Sequence, residues 1–176
     1  MSWRVIARRE FNDSVRSRLL WGLVAIVAIM IALTSVVPLA IPAMNASVLM
    51  GLGAASEFAA MLVPIVALVA AYLAIAGERE SGSLRLLLGL EPIRRRVVLG
   101  KFLGRGAVVA VGLATGFALA STLSWVAYGG LPFGPFLTVL ALTVGLGISF
   151  VGIAVGISAA TSTRARAMTL GIAGYL

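Results

Sequence analysis

Residues 106–163 read GAVVAVGLATGFALASTLSWVAYGGLPFGPFLTVLALTVGLGISFVGIAVGISAATST, a run of the chain without a single charged side chain. One crossing of a hydrocarbon core takes about 20 apolar residues at about 1.5 Å rise each. The run is long enough for two crossings, and Gly129-Gly130-Leu131-Pro132-Phe133-Gly134-Pro135 supplies a turn between them, since Gly and Pro both oppose a continuing helix. Uncharged runs also fill residues 19–56 and 58–77. The chain is 176 residues long, 61% hydrophobic and only 11% charged. A soluble domain carries about a quarter of its residues as charges. These runs predict an all-α, polytopic membrane helix bundle.

Outward from that stretch, the sequence predicts four full crossings at residues 19–41, 58–77, 102–128 and 136–159, with the start of a fifth at 168–176. Pro38 and Pro42 mark the end of the first crossing, residues 42–56 read as an outer loop, and Pro64 is a possible kink in the second. Residues 2–18 read as an interfacial helix: Trp3, Ala7, Phe11 and Val15 recur every four residues, with Arg4, Arg8, Arg9, Asn12 and Arg16 around the rest. Arg8-Arg9-Glu10-Phe11 superficially matches a twin-arginine export signal, but polar Asn12 and Asp13 follow and the next apolar run is too long for a signal core. The fifth apolar stretch ends at Leu176, and the expectation is one transmembrane domain over 1–176 that is a piece of a larger bundle.

The net charge of +8 is distributed asymmetrically. All fourteen Lys and Arg residues lie before the first crossing, in or beside the 78–101 connection, or at Arg164 and Arg166. An even number of crossings separates these clusters, so they share one side. By the positive-inside rule that side is the cytoplasm, which places the N-terminus inside and the protein in the cell membrane. Lipid headgroups account for the basic charge, and nucleic acid is not expected.

The chemistry-bearing residue types are sparse. Cysteine and histidine are absent, which removes a disulfide framework and the commonest metal and haem ligands. No G-x-x-x-x-G-K-[ST] loop exists; the single lysine, Lys101, follows Gly100 but precedes Phe102. Catalytic, cofactor-binding and metal residues are therefore all assigned as none. Gly51-Leu52-Gly53-Ala54-Ala55-Ser56 reads as a flexible connection, and Asn45-Ala46-Ser47 is a weak glycosylation-type tripeptide. Glu57 reads as a solvated carboxylate near the outer end of the second crossing, with no ionisable group expected at mid-depth. Ser121, Thr122 and Ser124 are expected to bond backbone or a neighbouring helix. Gly112-x-x-x-Gly116 and Gly152-x-x-x-Gly156 have the spacing of helix-packing pairs.

The most informative segment is Gly77 to Lys101 (GERESGSLRLLLGLEPIRRRVVLGK). Ser81 or Ser83 can cap a short helix with Leu84, Leu87 and Leu88 on one face, and Pro92 ends it. Arg94, Lys101 and Arg105 then share a face, so the third crossing helix starts before it enters the membrane. Glu78-Arg79-Glu80-Ser81-Gly82-Ser83-Leu84, followed by Pro92, Arg94-Arg95 and Gly100-Lys101, resembles the first cytoplasmic loop of ABC-2 type transporter permeases. The resemblance is strongest to the branch that holds the permease of nitrous-oxide-reductase maturation. Two features depart from the pattern: Glu91 intervenes before Pro92, and Arg96 stands where an acidic residue is common.

The resemblance implies a membrane-spanning subunit of an ATP-binding-cassette exporter, six crossings in all, paired with a second permease copy and driven by separate ATPase subunits. It implies that residues 78–92 form a coupling helix, with Glu78, Arg79, Glu80, Gly82, Leu84, Pro92, Arg94 and Arg95 as ATPase-coupling positions. It implies no enzyme activity and no cofactor in this chain, with ATP held on the partner subunit. The alternative is a non-transporting multi-pass anchor or assembly factor, whose basic loop simply holds headgroups.

Overall fold

The computed structural model describes residues 3–41, 47–72, 75, 93–161 and 163–173, and every regular element among them is helical. Helix α1 is Trp3–Val15 and α2 is Arg18–Val36, prolonged by a 3-10 turn at Val37–Ala40. Helix α3 is Val48–Ala71, α4 is Arg94–Tyr128, α5 is Phe133–Ala160 and α6 is Arg164–Ala173. Among the described residues α3, α4 and α5 are long and apolar enough to cross a membrane, and Val24–Ala40 is a shorter apolar stretch.

The apolar content of the runs decides which segments are helical, and local chemistry sets the ends. Ser47 caps α3 by accepting a hydrogen bond from the Met50 amide at 3.2 Å. Residues 48–56, expected as loop, are therefore the first turns of α3. The glycines that suggest flexibility there instead permit packing: a Cβ on Gly51 would run into the Ser35 carbonyl of α2. At the other end α3 is defined to Ala71, and residues 73, 74, 76 and 77 of the expected crossing lie outside the described residues. Helix α4 begins at Arg94, eight residues before Phe102, in line with the early helix start that the shared face of Arg94, Lys101 and Arg105 predicts. Gly129 ends it in the left-handed region at φ 71°, which glycine adopts without a Cβ clash. Helix α5 spans slightly more than the expected 136–159, and α6 starts at Arg164 rather than 168. Pro64 lies inside α3, and the helix runs through it.

Four helices form a ring in which α2 packs on α3 and α4, and α5 packs on the same two, leaving α3 and α4 diagonal. Small residues set the α2–α4 distance. A Cβ on Gly112 would lie 2.6 Å from Val24, and one on Gly116 would lie 2.9 Å from Ala28. Gly152 of α5 sits against the Phe102 ring at 3.4 Å from its would-be Cβ, whereas Gly156 has nothing within 4 Å. Phe117 and Phe136 meet edge to face, with centroids 5.7 Å apart, closing the α4–α5 seam. The core between these helices holds Ile31, Val63, Ala67, Phe117, Val151 and Val155, all essentially without exposure.

The inner face of α1 is Ile6 and Glu10, with Ala7 and Phe11 half-buried, whereas Val15 is exposed. The helix packs on the first turns of α4. Gly104 makes this possible, because a Cβ there would stand 2.6 Å from the Glu10 Cβ and 2.7 Å from the Ala7 carbonyl. The bundle thus has a charged end, where α1, the start of α4 and the end of α5 gather. At its uncharged end Tyr128 donates to the Ser35 carbonyl at 3.1 Å.

Candidate functional site

The residues that sequence reasoning singled out for coupling fall in two groups. Glu78, Arg79, Glu80, Gly82, Leu84 and Pro92 lie outside the described residues. Arg94 and Arg95 are described: they open α4 and are exposed. What the structure does define is how the two stems of the 76–92 connection are held.

On the leaving stem, α4 carries Lys101 and Arg105 one turn apart on one face. Lys101 is completely buried, and its ammonium donates to Glu10 Oε1 of α1. Arg105 Nε donates to the other carboxylate oxygen at 3.2 Å. A buried cation is tolerated only when paired, and Glu10 supplies a carboxylate to Lys101. On the entering stem, Arg105 Nη1 donates to the Ala70 carbonyl at 2.5 Å. Ala70 is in the last turn of α3, where carbonyls have no amide of their own helix to accept from. A few residues on, the Ile75 amide donates to Ser158 Oγ of α5 at 2.9 Å, a contact buried at both ends.

The arrangement is a charged knot. One carboxylate from α1 gathers two cations of α4, one of which also ties down the end of α3, while α5 fixes the chain just before residue 76. The ends of α3 and α4 are thereby tied to α1 and α5. Chemically this is an ion-paired and hydrogen-bonded joint between helices. Among the described residues no group of three or more His, Cys, Asp or Glu is placed to hold a metal.

Sequence reasoning missed Glu10. Periodicity placed Arg94, Lys101 and Arg105 on one face, but their acidic partner sits 91 residues before Lys101. The available signal was Glu10 itself, one of two acidic residues, with Asp13, in a largely basic amphipathic segment. The exposed Arg9–Asp13 pair at 3.7 Å, one turn apart, is an ordinary surface contact. The hydroxyls singled out on α4 lie outside the joint: Ser121 and Thr122 both donate to the Ala118 carbonyl of their own helix, at 2.7 and 2.9 Å, and Ser124 is buried.

Comparison with known proteins agrees with this picture. The family model for the ABC-2 family transporter protein matches residues 4–176. A protein of Stutzerimonas stutzeri named "Probable ABC transporter permease protein NosY" is 37% identical over 125 residues, covering 66% of this chain and 43% of the relative. The protein of the same name from Pseudomonas aeruginosa is 35% identical over 125 residues with the same coverage. The chain thus spans less than half the length of the curated relatives it matches. With long apolar helices and a family match over nearly its full length, the chain is a multi-pass membrane protein and belongs to the ABC-2 family of transporter membrane proteins.

Proposed function

We infer that the protein is the permease subunit of an ABC exporter, with residues 78–92 as the surface that receives a separate ATPase subunit. The observation that carries this reading is the charged knot: a connection whose two stems are locked to four helices is built to pass a push into the bundle. The N-terminus, the 76–92 connection and the α5–α6 junction lie on the cytoplasmic face, as the gathering of basic residues at one end of the bundle supports. Helix α2 with its 3-10 extension is the first crossing, followed by α3, α4 and α5, and α6 begins a fifth.

ATP is bound and split on the partner, for this chain has no phosphate loop. Closure of two ATPase subunits presses on residues 78–92, and the joint at Glu10, Lys101 and Arg105 turns that local displacement into a rocking of α3 and α4 against the rest. Two permease copies form the transporter. The test is co-expression with the ATPase of the adjoining reading frame. An ATPase with a phosphate loop should co-purify with the permease in detergent; its consistent absence, with the permease intact, counts against the reading in favour of an anchor.

A further inference from the structure

One face of α4 stays open along the whole helix. Steps of three and four residues lead from Arg96 through Leu99, Leu103, Ala107 and Ala114 to Trp125, which keeps the line on one side. No position on that line is buried, and Trp125 is 59% exposed. Arg96 and Trp125 are 29 residues apart. At about 1.5 Å per residue that is about 44 Å, matching the roughly 40–45 Å of a bilayer with its headgroup layers. The face thus has the layout of a lipid: an arginine end, then an apolar stripe that starts at Leu99.

The arginine end is built from two helices. Arg94, Arg95 and Arg96 are exposed at the start of α4, and Arg4, Arg8 and Arg9 are exposed on α1. Helix α1 packs on Gly104, the neighbour of Leu103 on the open face. Helix α4 contains no Asp or Glu, and the exposed carboxylate of α1 among the described residues is Asp13, 3.7 Å from Arg9. Glu10 is turned inward to Lys101. A guanidinium presents a planar fork that fits two oxygens of one phosphate. Trp21 marks the same level on α2: it is 41% exposed, and its indole N–H donates to the Val15 carbonyl at the end of α1 at 2.6 Å. Tryptophan gathers at the boundary between membrane and water.

We propose that Arg95 and Arg96 hold the phosphate of an anionic phospholipid whose acyl chains lie along Leu99, Leu103 and Ala107, while the α1 arginines meet neighbouring headgroups. Anionic lipid thereby stabilises the seating of α1 on α4, directly over the Glu10–Lys101–Arg105 joint. The chemistry selects the anionic class: phosphatidylcholine carries its own cation beside the phosphate, whereas phosphatidylglycerol leaves the negative charge to be met by the protein. A general attraction of basic residues to a leaflet needs no particular arginine; this site does. It rests on the membrane placement of α4 and stands apart from the ATPase-coupling reading of Arg94 and Arg95.

The full-length protein in dodecyl maltoside is titrated with dioleoylphosphatidylglycerol, with dioleoylphosphatidylcholine and with soluble glycerophosphoglycerol, and the midpoint of thermal unfolding gives the apparent affinity. Phosphatidylglycerol should raise the midpoint, and the other two should not. Replacing both arginines, Arg95→Gln with Arg96→Gln, should weaken its apparent affinity at least about tenfold, the loss expected for one charge-assisted hydrogen bond. Arg166→Gln, which removes an exposed arginine of α6, should leave that affinity unchanged. An equal loss in Arg166→Gln would show that net charge alone matters and overturn the proposal. Equal protection by phosphatidylcholine, or by the soluble headgroup without acyl chains, overturns it too. Should the double variant fail to purify folded, Arg95→Gln alone and the lipid comparison on the wild type decide by the same criteria. The last arm adds the ATPase subunit: phosphatidylglycerol retained beside bound ATPase supports the site, and its displacement assigns these arginines to the ATPase contact and overturns the lipid site. Loss of the lipid response in variants that still bind ATPase leaves the coupling reading intact.

Discussion

At the scale of single residues, the Glu10–Lys101 pair sets the strongest constraint. Replacing Glu10 by Gln removes a charged partner of the buried Lys101 ammonium, and breaking a buried pair typically costs about 3–5 kcal/mol. Glu10→Gln and Lys101→Met should each lower the midpoint of thermal unfolding in detergent. The double variant should recover part of the loss, with a coupling energy of about 0.5–3 kcal/mol in a double-mutant cycle. Strict additivity would show that the pair does not interact. None of this was legible in the local sequence. Glu10 reads there as one more polar residue on an amphipathic helix, because burial and pairing depend on contacts with residues 91 and 95 positions away.

At the scale of elements, the helices owe their spacing to a few missing side chains. Gly104→Ala should push α1 off α4, because the new methyl would meet the Glu10 Cβ and the Ala7 carbonyl well inside contact distance; overpacking of this kind costs about 1–3 kcal/mol. Gly106→Ala is the matched control. Nothing lies within 4 Å of its Cβ, and alanine is favoured over glycine in a helix by up to about 1 kcal/mol. It should be neutral or stabilising in the same melt, and equal losses in both variants would contradict the α1–α4 packing. Ser47→Ala should cost about 1 kcal/mol through the α3 cap, seen as faster amide exchange in the first turn of α3. The long uncharged runs and the Gly-Pro turn at 129–135 made α2, α4 and α5 legible, since solvent class dictates them. The start of α3 was not, because Gly51 and Gly53 look alike in sequence and differ only in what lies across from them.

At the scale of the whole molecule, one end of the bundle concentrates charge and the other lacks it, and both stems of the 76–92 connection are held at the charged end. The family was legible in residues 78–101, whose motif is local, and the match over residues 4–176 agrees with it. The means by which that connection grips the bundle was not, since it uses Glu10, Ala70 and Ser158 from distant parts of the chain. The central claim is that an ATPase acts through residues 78–92 and the knot at their stems. Its most direct test is ATPase activity of the assembled complex in liposomes, comparing wild type with Glu78→Ala and Glu80→Ala, with membrane insertion checked separately. The account predicts normal insertion and a loss of permease-stimulated ATP hydrolysis in at least one of the two variants. Full stimulation in both would contradict it.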